Sequence, residues 1–199
     1  MTYIEEYYNE IMKGNIIACH RIKQVYEMLM DKLYNRHGNW VFDLERANRP
    51  IEFIETFCKQ SQGELGKNIE LQLFQKAKHQ AVFGFIDEVT GFRQFQEVLD
   101  IRGRKNGKTT ELACDELYMG VGDGEGSPEV YNVATKHDQA VKGWNECWKM
   151  VQQSTDLSKH IRKRKSDLYI NFNYGTIMAL SSNTNGLDGL NAHMVTIDE

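Results

Sequence analysis

The first part of the chain carries apolar residues at helical spacing. Between residues 16 and 34 they recur at three- and four-residue steps, which predicts an amphipathic helix. Its apolar positions are Ile22, Val25, Tyr26, Leu29 and Leu33. A second helix is predicted to open at Arg49-Pro50, because a proline in the first turn lacks only an N–H that has no helical partner there. A third helical pattern covers about residues 71–85.

The pattern changes near residue 96, where strand-like and helical stretches begin to alternate. Short apolar runs with turn residues around them predict strands at 96–101, 130–134, 168–172, 176–180 and 193–198. Helical periodicity is found at 109–118 and 136–154. Alternation of this kind is typical of an α/β fold, with a mostly parallel sheet and helices on both sides.

Composition narrows the class of protein. A chain of 199 residues with 41% hydrophobic and 26% charged residues is long enough for one main folded domain and an appendage. The net charge of -4 gives no general electrostatic reason to bind nucleic acid. The sequence has no apolar leader or membrane-spanning stretch. Four cysteines without metal-ligand spacing favour reduced thiols in a cytosolic protein.

A phosphate-binding motif occupies the turn after the predicted strand at 96–101. Gly103 and Gly107 allow a sharp turn with inward N–H groups, Lys108 supplies a cation, and the Thr109 hydroxyl is suited to Mg²⁺. The usual motif has a glycine five residues before Gly107, and here that residue is Arg102. An ordinary helix start with exposed cations is the alternative, which the flanking strand and helix disfavour.

Two arginines, Arg102 and Arg104, lie in this turn. A cation at that place can stabilise the charge that develops on a transferring phosphoryl group. For Arg102 a solvated side chain is an almost equal alternative.

The last predicted strand ends in two adjacent carboxylates, Asp198 and Glu199. Ligands of open α/β sheets bind at the carboxyl ends of the strands, so this pair is placed to act with Mg²⁺ and to activate water. An exposed acidic pair without a role is the alternative. Thr196 is a polar exception inside the otherwise apolar strand.

Taken together, these motifs resemble the N-terminal ATPase half of the large terminase subunit of tailed bacteriophages, the DNA-packaging motor. An arginine-bearing phosphate loop is itself typical of that family. The resemblance covers nearly the whole chain. The matching segments are residues 15–19, 53–58, 73–75, 103–109, 130–136, 179–182, 187–191 and 197–199.

The resemblance implies roles for individual residues. Gln75 would recognise adenine, because its amide both donates and accepts hydrogen bonds; a polar residue on a helix face is the alternative. The implied nucleotide-binding set is Gln75, Gly103, Arg104, Lys105, Asn106, Gly107, Lys108, Thr109 and Thr110. Thr109 and Asp198 would hold Mg²⁺, partly through water. The implied catalytic residues are Glu199, which orients the attacking water, Arg104 and Lys108.

The resemblance also implies an architecture and partners. The expected fold is a P-loop NTPase of the ASCE or RecA-like kind, with a helical region at 1–70 and an ATPase core at 71–199. The expected cofactors are ATP and Mg²⁺. The expected partners are double-stranded DNA, a portal protein, the small terminase subunit and further copies in a ring, in the host cytoplasm and transiently at the procapsid portal.

Two departures from the family pattern matter. Many relatives have Arg-Gly eleven residues before the catalytic glutamate, whereas this chain has Asp188-Gly189, which argues against a cation supplied to a neighbouring subunit from here. The family's coupling motif, further strands and nuclease domain do not follow the acidic pair. We therefore expect a fragment, with a sheet left incomplete at its carboxyl-terminal edge.

Two other functions stay open at this point. In the first, the chain is a nucleotide-binding and subunit-contact module without turnover. In the second, it belongs to a helicase-like P-loop motor. A basic run at residues 160–165 is suited to the DNA backbone, but a solvated loop before a strand is the favoured interpretation.

Overall fold

The computed structural model describes residues 1–181 and 189–197, which form two compact units. The first unit comprises residues 1–52 and 70–100 and the second residues 53–69 and 101–199. The domains expected from sequence, 1–70 and 71–199, follow chain order, whereas these units interleave. The elements of the first unit are α1 (Tyr3–Met12), α2 (His20–Tyr34), β1 (Trp40–Phe42), the start of α3 (Leu44–Phe57), α4 (Leu73–Gly84) and β2 (Phe85–Asp87).

The core of the first unit is made by α1, α2 and α4. Its buried apolar residues are Ile4, Tyr26, Leu29, Ala77, Ala81 and Phe85. The buried side chain of Gln80 on α4 accepts a hydrogen bond from the backbone N–H of Tyr3 at 2.7 Å and donates to Asn48 at 2.8 Å. Gln80 therefore supplies a hydrogen-bond acceptor to the first N–H groups of α1, which have no partner within the helix.

The predicted helices of this unit are confirmed, with two differences. The first helix starts at His20, and α1 precedes it. The second, α3, begins six residues before Pro50, because Asp43 accepts a hydrogen bond from the Arg46 N–H at 3.0 Å and caps it. Pro50 thus lies inside α3, and the prediction that it opens the helix is wrong.

The strand predicted at 96–101 is not formed. Val98, Leu99 and Ile101 are exposed. An apolar run becomes a strand only when a neighbour pairs with its backbone, so propensity alone does not produce one. The prediction that the phosphate motif follows a strand is therefore wrong for this structure, although the helix after it is present.

The second unit contains a five-stranded sheet in the order β4-β5-β6-β3-β7. Its elements are the end of α3, α5 (Lys108–Val121), β3 (Glu129–Ala134), α6 (His137–Gln153), α7 (Thr155–His160), β4 (Ile161–Lys163), β5 (Asp167–Ile170), β6 (Thr176–Ser181) and β7 (Ala192–Ile197). Strand β3 runs parallel to both of its neighbours, β6 and β7, while β4, β5 and β6 form an antiparallel meander. The predicted fold class, an α/β fold with a mostly parallel sheet flanked by helices, is confirmed.

Helices α5 and α6 lie side by side on one face of this sheet. Asn132 in β3 contacts both of them, because it hydrogen-bonds Glu116 of α5 at 3.0 Å and lies against Gly143 of α6. Between these helices and the sheet are the buried residues Val130, Leu117, Met150, Leu168, Ile170 and Ile177. The predicted layer of helices is thus confirmed on this face of the sheet.

The opposite face is open at β7, which is the edge strand of the sheet within the described residues. Val195 is 50% exposed and Ile197 74% exposed. An edge strand with outward apolar side chains offers both hydrogen-bonding groups and apolar area to another chain. The expectation of a sheet that is not closed at this edge is confirmed. No described helix is long and apolar enough to cross a membrane.

We expect the double variant Val195→Lys/Ile197→Lys to weaken self-association of the chain, because two charges on an exposed edge strand oppose pairing with a second copy. Sedimentation velocity over a range of concentrations measures this. Val89→Lys, at an exposed valine in the turn after β2, is the control. A wild-type chain that sediments as a monomer at all concentrations would contradict the prediction.

Candidate active site

The turn that precedes α5 is formed by residues 102–107. Gly107 is the N-cap of α5 and has a left-handed backbone, with φ 70°. A side chain there would meet no atom within 4 Å, so glycine is required by the backbone conformation rather than by space. Lys105 is also left-handed, with φ 63°, which the sequence did not predict. The sharp turn expected of this motif is therefore present.

Gly103 has a different function in the turn. Its backbone is not left-handed, but a Cβ there would lie 3.2 Å from the Asn106 side-chain nitrogen. That nitrogen donates a hydrogen bond to the Gly103 carbonyl at 3.1 Å. Gly103 thus leaves room for Asn106 to close the loop across its own base.

Arg102 fixes the loop to α5. Its guanidinium donates to the Glu111 carboxylate at 2.6 Å, with the two side chains 11% and 1% exposed. It also lies 3.4 Å from the Asn106 carbonyl oxygen. The interpretation of Arg102 as a solvated side chain is therefore wrong. The arginine that replaces the usual glycine neutralises a buried carboxylate in the first turn of the helix.

Arg104 and Lys105 are exposed at the tip of the loop, and Lys108, Thr109 and Thr110 are partly buried at the start of α5. A helix of 14 residues begins at Lys108, so the positive end of its dipole lies at this loop. Gly107 has no side chain with which to cap the N–H groups that follow. The arrangement can bind an anion through backbone N–H groups, as phosphate-binding loops do.

The acidic pair predicted as the second half of the site, Asp198 and Glu199, lies outside the described residues, as does Asp188. The strand leading to the pair is described as far as Ile197, and β7 runs parallel to β3 with Thr196 opposite Asn132. The predicted strand is therefore confirmed up to that residue.

Gln75 lies in the first turn of α4, in the other unit. Its side-chain oxygen accepts a hydrogen bond from the Gln72 N–H at 2.8 Å, and the Gln72 side chain reciprocates as a capping box. Its amide is thus used at the start of the helix. The predicted contact with adenine stays a prediction.

The second unit contains a buried carboxylate that the sequence did not reveal. Glu116 on α5 is fully buried and accepts hydrogen bonds from Asn132 at 3.0 Å, from the Cys147 thiol at 3.1 Å and from the Thr196 hydroxyl. Burial raises its pKa to about 7, against the lowering effect of these hydrogen bonds. Thr196, the polar exception in an apolar strand, is explained by this contact.

Ile161–Lys163 of the basic run form the edge strand β4, whereas Arg164 and Lys165 lie in the exposed turn that leads into β5. The interpretation as a solvated loop before a strand therefore holds for the second half of the run. Lys163 is positioned 4.7 Å from the Trp144 ring centre, and Arg164 is positioned 3.5 Å from that of Tyr169. Arg164 also lies 3.6 Å from the Asp167 carboxylate. These two cations therefore lie over aromatic rings while remaining exposed, and the charged edge opposes pairing with other strands.

Comparisons with known proteins agree with this architecture. The family model described as "Terminase large subunit, ATPase domain" matches residues 73–199. The chain therefore belongs to that family. Among solved structures, the crystal structure of the HK97 bacteriophage large terminase is similar, with a TM-score of 0.66 and 28% sequence identity. The match covers 77% of this chain and 31% of the HK97 chain. A search of curated proteins found no match.

Sequence reasoning missed Glu116, Asn132 and the pairing of Arg102. A glutamate on an amphipathic helix is ordinarily a solvated residue. The one available signal was Thr196, since a hydroxyl within a buried strand requires a hydrogen-bond partner.

Replacing Arg102 with Met is expected to destabilise the chain by about 3 kcal/mol, because the buried Glu111 charge loses its cation. The double variant Arg102→Met/Glu111→Gln should recover most of that loss. Urea unfolding of the wild type and both variants measures the free energies. Equal stability of the single variant and the wild type would show that this ion pair does not hold the loop.

Glu116 should also make stability depend on pH. The folded chain holds its proton up to about pH 7, whereas the unfolded chain releases it near pH 4.5. Stability from this group is therefore present at low pH and is lost as the pH rises towards the folded pKa. Relative to the wild type, Glu116→Gln should gain roughly 2 to 3 kcal/mol of unfolding free energy between about pH 5 and about pH 8.

Groups that titrate identically in both proteins cancel in this difference. Urea unfolding at several pH values supplies it, and a difference that does not change with pH would contradict the assigned pKa.

Proposed function

We propose that residues 103–110 bind the phosphates of ATP and that this chain carries an ATP-hydrolysing site. The main structural support for this proposal is the left-handed backbone of Gly107 at the start of α5. It supports a turn whose backbone N–H groups and helix dipole are directed at one anion. Lys108 then contributes a full positive charge to the phosphates. The set that we assign to the nucleotide is Gly103, Arg104, Lys105, Asn106, Gly107, Lys108, Thr109 and Thr110.

The residue chemistry fits Mg²⁺ as well as ATP. Thr109 offers a hydroxyl and Asp198 a carboxylate, which are the oxygen ligands that Mg²⁺ prefers. When bound, the metal ion would neutralise charge on phosphate oxygens. Glu199 orients and deprotonates water, and Arg104, at the exposed tip of the loop, stabilises charge on the transferring phosphoryl group.

The parallel pairing of β3 and β7 supports the assignment of the acidic pair. Parallel strands direct their carboxyl ends to the same edge of a sheet, where ligands of open α/β folds bind. Asp198 and Glu199 follow β7 directly in the sequence. Gln75 remains the proposed adenine-recognising residue, since an amide matches the donor and acceptor on that base.

For the whole protein we propose that ATP hydrolysis drives translocation of double-stranded DNA into a procapsid. The similar solved structure is a bacteriophage large terminase, and this chain spans about a third of that chain's length. The proposed partners are DNA, a portal protein, the small terminase subunit and further copies in a ring, at the procapsid in the host cytoplasm.

A module that binds nucleotide without turnover is the second candidate. It is favoured by the open edge at β7, where Val195 and Ile197 are exposed. Phosphate release measured on this chain separates the two, because only the hydrolase produces phosphate from ATP. A helicase-like motor is disfavoured by membership of the terminase ATPase family.

Lys108→Ala is expected to lower ATP turnover at least about 100-fold, because the cation on the transferring phosphate is lost. Phosphate release under saturating ATP and Mg²⁺ measures this. Lys159→Ala removes an exposed lysine that pairs only locally with Asp156, so it serves as the charge-matched control. Wild-type turnover in Lys108→Ala would reject the assignment of the phosphate site.

A further inference from the structure

Glu116 joins four elements of the second unit through one side chain. It lies on α5, eight residues or about two helical turns after Lys108. Its carboxylate accepts hydrogen bonds from Asn132 in β3, Thr196 in β7 and Cys147 in α6. The helix that carries the phosphate loop is therefore tied directly to the strand that leads to the acidic pair.

The two strand residues that hydrogen-bond Glu116 are paired with each other in the sheet. Asn132 and Thr196 are opposite each other in the parallel pair of β3 and β7, and both donate to the same oxygen of Glu116, Oε1. A shift of β7 by one residue would turn Thr196 to the other face of the sheet and break the contact. The hydrogen bond from Thr196 to Glu116 therefore forms in this register of β7 against β3.

The space for this contact is provided by Gly143 on α6. A Cβ at residue 143 would lie 1.9 Å from the Asn132 side-chain nitrogen. Glycine therefore allows the Asn132 amide to pass beneath α6 and reach Glu116.

Thr196 can keep the contact in either protonation state of Glu116. Its hydroxyl lies 3.3 Å from the Tyr131 carbonyl oxygen as well as beside Glu116. With Glu116 ionised, Thr196 donates to the carboxylate. With Glu116 protonated, the carboxyl donates to Thr196, and the Thr196 proton is directed to Tyr131. The link between α5 and β7 therefore does not require one charge state.

The other end of β7 is held separately. His193 lies 2.8 Å from the Asp123 carboxylate, which follows α5, and the Asn191 N–H donates to Glu129 at 3.0 Å. These contacts fix the start of the strand, whereas Thr196 makes the side-chain hydrogen bond nearest in sequence to Asp198 among the described residues. Burying a carboxylate costs free energy of desolvation. Such groups are therefore better suited to specifying an arrangement than to adding stability.

We propose that Glu116 is a positioning residue that sets β7, and with it the acidic pair, in register with the phosphate loop through Thr196. The inference rests on the proposed ATPase function. Positioning of this kind affects the chemical step more than nucleotide binding, because these contacts lie about two helical turns along α5 from the loop and do not touch it. Small misplacements of reacting groups lower rates strongly.

The test compares Thr196→Val with Thr176→Val. Both remove one hydroxyl from a parallel strand at nearly constant shape, but the Thr176 hydroxyl makes no hydrogen bond to a described side chain. Turnover is measured by phosphate release, and affinity by equilibrium binding of a fluorescent ATP analogue. Amide hydrogen exchange of β7 and β6 reports strand attachment directly.

Thr196→Val should lower kcat about tenfold, leave affinity for the analogue within about twofold, and raise exchange in β7 but not in β6. Thr176→Val should match the wild type. Glu116→Gln keeps an oxygen that accepts from both donors, so it should retain kcat within about threefold, whereas Glu116→Leu should resemble Thr196→Val. Adding Thr196→Val to Glu116→Leu should produce little further loss, since both remove the same contact.

Three outcomes overturn the inference: unchanged kcat in Thr196→Val, parallel loss of kcat and nucleotide affinity, or unchanged exchange in β7. A wild-type chain that neither binds the analogue nor releases phosphate rejects the proposed function itself. An active wild type with an equally active Thr196→Val rejects the positioning role alone.

Discussion

The buried hydrogen bonds around Glu116 are the constraint on which the arrangement of the second unit depends. A purely apolar contact would let β7 slide or tilt against α5 with little change in buried area, because the hydrophobic effect is not directional. A carboxylate with donors on three other elements accepts only one placement. Its raised pKa reflects the burial that this specificity requires.

The same logic applies at the phosphate loop, where Arg102 pairs with the buried Glu111 at 2.6 Å. The carboxylate would otherwise place a negative charge in the first turn of a helix proposed to bind phosphate. Neutralising it preserves the positive field of the helix terminus. The departure from the usual glycine is thus compatible with the membership in the terminase ATPase family, and it gives the loop a fixed base while its tip, with Arg104 and Lys105, stays exposed.

Local patterns predicted much of the fold, because helix periodicity and buried strands depend on neighbouring residues. The strand expected at 96–101 depends on distant residues: the run has strand composition, but no strand forms there. The start of α3 before Pro50 is set by the nearby cap at Asp43, a local signal that the sequence contains. In the candidate site the turn at Gly107 was predictable, since a glycine before Lys-Thr indicates its own backbone conformation. Glu116 was not, because its partners lie on three other elements of the fold.

A direct contact between Glu116 and Thr196 fixes β7 to α5. A double-mutant cycle in unfolding free energy measures this contact, with Glu116→Leu, Thr196→Val and both substitutions together. We expect a coupling of at least about 1 kcal/mol between the two positions. Strictly additive effects would mean that the two residues do not interact and that β7 is held to α5 in another way.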